Sequence, residues 1–205
     1  MSGIQRRVLD WLDRIFVWPV MMYRKWKYGY TFRRIYLGEG EYTIVDPDIY
    51  YKYRHIKWFL TGNKTNYYAA CSVKNGLGET TTKRLHRIIM NAPDGLLVDH
   101  KNRKGLDNRI ANLRLATHSE NCCNREKMRH STSQYKGVYC EKRRGREQWR
   151  ANIRFNGKRI FLGYFNNEID AAKAYDAAAK KYHRIFARLN FPEDADKHGL
   201  LSHTE

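Results

Sequence analysis

The sequence predicts an α+β protein made of two small modules, which follow an N-terminal helix and a β-rich segment. Two patterns indicate this class. A strand, a loop, a second strand and a helix follow one another near the middle of the chain, and three closely spaced strands precede an alanine-rich helix near its end. The length of 205 residues agrees, because it suits two or three modules with small cores.

Residues 1–28 are predicted to form an amphipathic helix. Apolar residues recur at helical spacing on one face, at Val8, Leu9, Trp11, Leu12, Ile15 and Phe16. Such a stripe is more typical of a packing face than of a membrane anchor, although the basic residues from Arg24 to Lys27 also suit a membrane surface. The apolar run 15–23 contains Pro19 and is shorter than the roughly 20 residues of a spanning helix, so we expect no membrane span.

Residues 29–84 form a tyrosine-rich leader that favours strands. Turn-forming pairs interrupt it at Asp46-Pro47, Gly62-Asn63 and Asn75-Gly76. Basic residues alternate with aromatic ones along much of this leader, as they do in some nucleic-acid grooves. Half-buried strands give the same pattern, and we favour that interpretation.

Residues 85–129 are predicted to form the first module. A short apolar run, 85–90, and a loop, 91–95, lead into a strand over 96–100. A polar loop with one glycine then precedes a second strand over 113–116. Thr117 and Glu120 form a capping box, so a helix is predicted to begin there and to carry Asn121 in its first turns.

A polar linker, 130–134, precedes the second module, 135–192, and residues 193–205 form a tail. Strands are predicted over 135–140, 148–155 and 158–163, and Asn156-Gly157 gives a two-residue hairpin signal between the last two. Residues 167–183 then predict a helix. Its close-packing face carries Ile169, Ala172, Tyr175, Ala179 and Tyr182.

The charge points to a polyanionic partner. Lys and Arg number 39 against 21 Asp and Glu, which gives a formal net charge of +18. Nucleic acid is the commonest such partner, but a ribosome-associated protein and a basic membrane-surface protein share this property. The four cysteines include no C-x-x-C pair, which disfavours a zinc knuckle, and reduced thiols are the simplest interpretation.

Asp99 and His100 are the first candidates for catalysis. Phosphodiester cleavage at neutral pH needs a base that activates water, and histidine suits this role because its pKa lies near neutrality. It also needs a cation, and Mg²⁺ prefers carboxylate and amide oxygens. Because the two residues are consecutive on a strand, their side chains diverge, so one can bind metal while the other approaches the water.

The surrounding residues carry a resemblance. The string L-H-R at 85–87, followed by V-D-H-K-N-R-K-G-L-D-N-R-I-A-N-L-R-L-A-T-H-S-E-N at 98–121, resembles the homing-type HNH endonucleases. The resemblance implies a ββα-metal fold with His100 as the general base and Asp99 and Asn121 as ligands of Mg²⁺ (or Mn²⁺). It implies that Asn112 holds the loop in shape.

Two further histidines and one loop have weaker interpretations. His86 either orients a phosphate or makes a hydrogen bond within the fold, and we favour the second, as structural support of the site. His118 either reaches the phosphate or is a solvated residue at the helix start, and we favour the second interpretation. Residues 102–105 replace the short Asn-Gly-Asp turn that many members of the family carry, and their charge suits a phosphate backbone.

The second module alternates along its middle strand. Trp149, Ala151, Ile153 and Phe155 face one way, whereas Arg150, Asn152 and Arg154 face the other. On the next strand, Ile160 and Leu162 join the apolar face, and Arg159 and Phe161 the polar one. The alanine-rich helix is expected to cover the apolar face, which leaves a basic, partly aromatic face open to the DNA major groove.

Five short strings in this module carry a second resemblance. Y-K-G-V-Y, W-R-A-N-I-R, L-G-Y-F, A-A-K-A-Y-D-A-A-A and L-N-F-P together resemble the APETALA-two/ethylene-response-factor (AP-two/ERF) domain of plants. The matching positions imply DNA contacts at Lys136, Arg154, Arg159 and Phe161, and we add Arg150 from the open face. Tyr139, Glu141 and Asn152 depart from the residues common in the plant members, so the plant target sequence is not carried over.

Together the two resemblances suggest a homing endonuclease of a mobile genetic element, whose β-rich leader also resembles that of such proteins. We expect a monomer that acts on double-stranded DNA, without a small-molecule cofactor, in the cytoplasm of a bacterial or phage-like context. The main alternative is a non-catalytic DNA-binding transcriptional regulator. RNA binding is disfavoured, because the predicted sheet lacks the exposed aromatic pairs on which single-stranded bases stack.

Overall fold

The computed structural model describes residues 3–63, 66–76, 78–125, 132–143 and 145–192, and the side chains of residues 13 onward within these ranges except that of residue 143. Helices and antiparallel sheets alternate along the chain, which confirms the α+β class. The chain divides into two compact units, Met1–Leu115 and Ala116–Glu205. The linker residues 130 and 131 and the tail predicted from residue 193 lie outside the described residues.

Helix α1 (Gly3–Tyr28) continues through Pro19. It is tied to the leader at Asp13, whose Oδ2 accepts hydrogen bonds from Arg33 Nη1 at 3.0 Å and from the Tyr51 hydroxyl at 2.8 Å. The predicted packing face is not observed where side chains are described, since Ile15 is 49% and Phe16 77% exposed. No helix within the described ranges is long and apolar enough to cross a membrane.

The leader folds into a hairpin and a separate sheet. Strands β1 (Arg33–Gly38) and β2 (Glu41–Val45) pair antiparallel, and β3 (Phe59–Asn63), β4 (Asn66–Lys74) and β5 (Thr80–Arg84) form a three-stranded antiparallel sheet. Between them lies helix α2 (Pro47–Tyr53). The turn predicted at Asp46-Pro47 is therefore wrong: Asp46 is the N-cap, and Pro47 occupies the first helical turn, where its missing N–H costs no hydrogen bond.

The remaining part of the first unit packs on this leader. Helix α3 (Leu85–Ile89) is followed by β6 (Leu97–His100), and a 3₁₀ turn (Ile110–Asn112) leads into β7 (Leu113–Ala116), which pairs with β6. Strand β2 joins the loop between them: Ile44 N donates to Leu106 O at 2.9 Å, and Asn108 N donates to Ile44 O at 2.8 Å. Leader and loop thus share one hydrogen-bond network.

The second unit begins with a short helix, α4 (His118–Cys123). Both hydrogen bonds of the predicted capping box are present, because the Thr117 hydroxyl accepts from Glu120 N and the Glu120 carboxylate accepts from Thr117 N. A three-stranded antiparallel sheet follows, with β9 (Arg146–Phe155) between β8 (Val138–Arg143) and β10 (Lys158–Phe165).

Helix α5 (Glu168–His183) packs on this sheet through small residues. Asn167 caps it by accepting from Asp170 N. Ala172, Tyr175 and Ala179 are buried as predicted, whereas Ile169 is 49% exposed. The strand predicted from residue 135 begins at Val138, because Gly137 has a φ of +78° that interrupts the extended backbone.

We expect Gly137→Ala to destabilise the second unit strongly. A Cβ atom at this position would overlap the ring of Tyr175, inside the core. Gly145 is the matched control, since it has a similar φ of +74° but no atom within 4 Å of its Cβ position. Both variants carry the cost of a positive φ, and only Gly137→Ala adds overpacking, of about 1–3 kcal/mol. Equal losses in denaturant unfolding would contradict this packing.

Candidate active site and nucleic-acid interface

Asp99 and His100 are the last two residues of β6, and each is only 5% exposed. Successive side chains on a strand point to opposite faces, so the two groups act in different surroundings. Asp99 faces a cation on the neighbouring strand, whereas the ring of His100 lies in a buried polar and aromatic cluster.

The carboxylate of Asp99 is paired with Arg114 of β7. Arg114 Nε donates to Asp99 Oδ2 at 2.7 Å, and Arg114 Nη2 lies 2.6 Å from the same oxygen. The side chains of Asp99 and Arg114 are 6% and 13% exposed. The positive charge offsets the cost of burying the carboxylate and fixes its orientation.

His100 is held by a side chain that the sequence did not single out. Its Nε2 lies 3.2 Å from Asn108 Oδ1. Asn108 has no exposed surface, and its Nδ2 donates to Thr43 Oγ1 at 2.7 Å and to Gly105 O at 3.4 Å. Burial lowers the pKa of His100, while the Asn108 hydrogen bond and the charges of Asp99 and Asp107 oppose that shift. The ring is therefore neutral at neutral pH.

His86 and Tyr68 pack against the His100 ring. The His86 and His100 centroids are 5.0 Å apart with planes at 88°, and Tyr68 lies 5.2 Å from His86 and 5.9 Å from His100. His86 is 4% exposed, and its Nδ1 has no hydrogen-bond partner among the described residues. Burial lowers the pKa of His86 to about 3, and repulsion from His100, once that ring is protonated in acid, and from Arg84 and Arg87 acts in the same direction.

This pKa implies a loss of stability in acid. An unfolded histidine binds a proton below about pH 6.5, whereas folded His86 stays neutral down to about pH 3. Its contribution to stability is complete above pH 6.5 and is lost as the pH falls through this window. Substituting a ring that does not titrate, in His86→Phe, is expected to reduce the fall in the free energy of unfolding between pH 6.5 and 4. Parallel curves for variant and wild type would contradict this origin.

The loop between β6 and β7 is closed by Asn112. Its Oδ1 accepts from Asn102 N at 3.0 Å, and its Nδ2 donates to Asn102 Oδ1 at 2.9 Å and to Asp107 O at 2.7 Å. Asp107 is paired with Arg109, at 2.6 Å between Oδ2 and Nη2. Gly105 lies against β4, where a Cβ atom would overlap the backbone oxygen of Tyr67. These contacts set the geometry of the segment that departs from the common turn.

Asn121 lies in α4, and its backbone N donates to Thr117 O at 3.0 Å. It belongs to the second unit, whereas Asp99, His100, Asn112 and His86 belong to the first. His118 is the exposed first residue of α4, as expected. The part of the chain that the structure describes contains no cluster of three or more His, Cys, Asp or Glu side chains suited to a metal ion.

The donor chemistry nevertheless suits a hard cation. Asp99 carries a carboxylate, which is a ligand type that Mg²⁺ and Mn²⁺ accept alongside water and phosphate. Both Arg114 bonds end on Asp99 Oδ2.

The open face of the second sheet carries cross-strand pairs of basic and aromatic residues. Arg154 pairs with Arg159, and Asn152 pairs with Phe161, which is 55% exposed. Arg154 and Arg159 are both exposed. Asn152, predicted on the open face, is only 7% exposed because it lies in the central strand next to Arg150.

Two of the predicted DNA contacts have partners within the second unit. Arg150 Nη1 lies 2.6 Å from Glu141 Oε1. Lys136 Nζ donates to the backbone oxygens of Cys123 and Arg125, at 2.5 and 2.8 Å. Arg154, Arg159 and Phe161 are thus the predicted residues that present their side chains most openly.

Sequence reasoning missed Thr43, Asn108 and Arg114. The motif string contains Asn108 and Arg114, but only the cross-strand and loop geometry shows that they contact His100 and Asp99. Asn190 was also missed. Its side-chain amide fixes the start of the second sheet. Oδ1 accepts a hydrogen bond from Lys136 N at 2.8 Å, and Nδ2 donates to Asp176 Oδ1 at 3.0 Å.

Residues 83–122 match the family model described as HNH endonuclease. The chain is 28% identical over 159 residues to an uncharacterized HNH endonuclease, L560, of Acanthamoeba polyphaga mimivirus, covering 75% of this chain and 76% of that protein. These matches place an HNH endonuclease domain in the chain and support a nuclease, that is, a phosphodiester hydrolase. The predicted resemblance is confirmed at this level.

Plant proteins match a shorter part of the chain. It is 43% identical over 63 residues to the AP2-like ethylene-responsive transcription factor TOE2 of Arabidopsis thaliana, which is 31% of this chain and 13% of that protein. It is 40% identical over 75 residues to the AP2/ERF and B3 domain-containing transcription factor RAV1 of the same plant, or 37% of this chain and 21% of that protein. The chain thus spans a small fraction of these relatives. No solved structure matches it significantly.

Proposed function

We propose that this protein is a divalent-metal-dependent DNA endonuclease of homing type, directed to its target by the sheet of the second unit. The observation that carries the proposal is the Asp99-His100 pair, buried at the end of β6 inside the segment that matches the HNH endonuclease model. A buried acid and a buried neutral base on opposite faces of one strand are suited to phosphodiester hydrolysis.

His100 acts as the general base in this proposal. The ring is neutral at the pH where nucleases work, because burial lowers its pKa, and a neutral ring nitrogen accepts a proton from water. Asn112 supports the site by holding the loop after His100, and His86 by packing on the ring. Neither needs to contact the substrate.

Asp99 and Asn121 would hold Mg²⁺ or Mn²⁺. The role of Asn121 is inferred from the sequence motif alone. The bound ion would supply positive charge at the leaving 3′ oxygen. Arg114 holds the Asp99 carboxylate in one orientation through a hydrogen bond and an ion pair to Oδ2. The expected products have 5′-phosphate and 3′-hydroxyl ends.

The second unit would bind double-stranded DNA through the open face of its sheet. Arg154 and Arg159 present guanidinium groups side by side, which suit guanine edges or phosphates, and Phe161 adds an exposed ring. Lys136 and Arg150 border this face and would join once DNA displaces their present partners. In this proposal the protein acts on its DNA inside a cell as a monomer.

We expect Arg154→Ala and Arg159→Ala each to weaken DNA binding and to reduce its salt dependence. Each phosphate that the protein no longer neutralises lowers the slope of log affinity against log salt by roughly 0.9. Lys173→Ala is the matched control, because this exposed residue lies on α5, which covers the other face of the sheet. Fluorescence anisotropy at several salt concentrations measures both effects. Loss of metal affinity in either arginine variant would contradict the assignment of these residues to DNA binding alone.

The proposal is tested by incubating the protein with supercoiled plasmid and Mg²⁺ or Mn²⁺, with and without EDTA. We expect nicked or linear products that disappear with EDTA. If a plasmid with the genomic neighbourhood of the gene is bound but not cut, the non-catalytic regulator replaces the nuclease. Preference for duplex RNA over duplex DNA in competition would instead favour an RNA-binding protein.

A further inference from the structure

We propose that Asn108 and Thr43 are positioning residues that fix the tautomer of His100, so that the ring carries its hydrogen on Nε2 and accepts a proton on Nδ1. This inference rests on the proposed function, since it concerns the base of the same reaction. It assigns a role in the nuclease site to the leader, because Thr43 lies on β2, 65 residues before Asn108 in the chain.

The direction of each hydrogen bond follows from the last contact of this network, between Thr43 and Leu106. The backbone oxygen of Leu106 only accepts, so the Thr43 hydroxyl must donate to it across 2.8 Å. The Thr43 oxygen then accepts from Asn108 Nδ2 at 2.7 Å. With Nδ2 facing Thr43 and Gly105 O, Asn108 Oδ1 faces His100 Nε2 at 3.2 Å. An amide oxygen only accepts, so Nε2 must carry the hydrogen.

Burial makes this order hard to reverse. Thr43 and Asn108 have no exposed surface, and His100 is 5% exposed, so water does not compete for these bonds. Flipping the Asn108 amide would set its oxygen against the carbonyl oxygen of Gly105, and the Thr43 hydroxyl would have to leave Leu106 O to donate to it. The lone pair of the neutral ring therefore stays on Nδ1.

The backbone on both sides keeps the contact in register. Thr43 pairs with Ile35 in the β1–β2 hairpin. The next residue, Ile44, accepts from Asn108 N and donates to Leu106 O, so strand and loop are joined on either side of the Thr43 side chain. The leader thus supplies a rigid anchor for the base, and a nuclease segment without it would lack this constraint.

The test reads the tautomer directly, by nitrogen NMR of the full chain with labelled histidine at pH 7.5. His100→Gln identifies the signals of His100. We expect the wild type to show a single tautomer with hydrogen on Nε2. An Nδ1-bound hydrogen in the wild type would overturn the proposal, and this reading requires neither a variant nor cleavage. Failure of the proposed function would appear separately, as absent cleavage by a protein whose tautomer is fixed.

Thr43→Val and Thr43→Ser form a matched pair. Valine has nearly the same shape but neither accepts from Asn108 nor donates to Leu106, whereas serine keeps both bonds. We expect Thr43→Val to give mixed His100 tautomers and to lower kcat about ten- to a hundredfold, with KM for DNA unchanged. We expect Thr43→Ser to keep the single His100 tautomer and the wild-type kcat. An unchanged tautomer and kcat in Thr43→Val would overturn the proposal, and so would equal losses in the two variants.

Discussion

We expect the His100→Ala variant to bind DNA like the wild type and to cleave it about 100- to 10,000-fold more slowly, because a positioned base contributes about that much to proton transfer. His100 is buried in the first unit, whereas the residues proposed to bind DNA belong to the second, so its removal leaves them unchanged. Single-turnover cleavage rates and equilibrium binding to one DNA fragment measure the two quantities.

His118→Ala is the control for this prediction. His118 is an exposed histidine in the same family-matched segment, and it is the first residue of α4. We expect its loss to change the cleavage rate less than about threefold, because a surface substitution removes no base. Comparable losses in the two variants would contradict the assignment of His100.

Asp99→Asn is expected to abolish measurable binding of Mg²⁺ or Mn²⁺ and to reduce cleavage as strongly as EDTA does. The substitution keeps the shape of the side chain but removes the charge that both a divalent cation and Arg114 require. It also leaves the Arg114 guanidinium buried without its carboxylate, so we expect stability to fall by about 3 kcal/mol or more. Calorimetric titration with Mn²⁺ and denaturant unfolding separate the two losses.

Asp107→Asn controls for the broken ion pair. Asp107 and Arg109 reproduce the Asp99–Arg114 pair closely, with 2.6 Å between the charged groups and side-chain exposures of 6% and 13% in both. We expect Asp107→Asn to lose similar stability but to keep its affinity for Mn²⁺. Retained metal binding in Asp99→Asn, or its loss in Asp107→Asn, would place the metal elsewhere.

Local patterns in the sequence predicted most of the elements of the two modules. The capping box at Thr117 and Glu120 and the Asn156-Gly157 hairpin are short-range signals, and both appear where expected. The turn predicted at Asp46-Pro47 was wrong because the same dipeptide suits both a turn and a helix start. Only the following residues of α2 decide between the two. At Ile15 and Phe16, the two stripe residues of α1 whose side chains are described, the apolar face is exposed, because periodicity identifies a face without showing that anything covers it.

Sequence reasoning predicted only those site residues that belong to the short motif string. The motif string pointed to Asp99 and His100 because they are neighbours in sequence. Arg114 was missed because it reaches Asp99 only through the pairing of β6 with β7, and Thr43 because it comes from a leader without any recognised motif. Contacts of this kind depend on tertiary structure, which residue spacing does not encode.

The central claim is hydrolysis that releases a 3′-hydroxyl with the help of a metal ion, and resealing of the cut by a DNA ligase tests it most directly. Supercoiled plasmid nicked by the wild-type protein in Mg²⁺ is purified and treated with ligase, which joins only 5′-phosphate to 3′-hydroxyl ends. We expect closed circles to re-form without any other treatment. Nicks that ligase seals only after removal of a 3′-phosphate would contradict the proposed roles of Asp99 and His100.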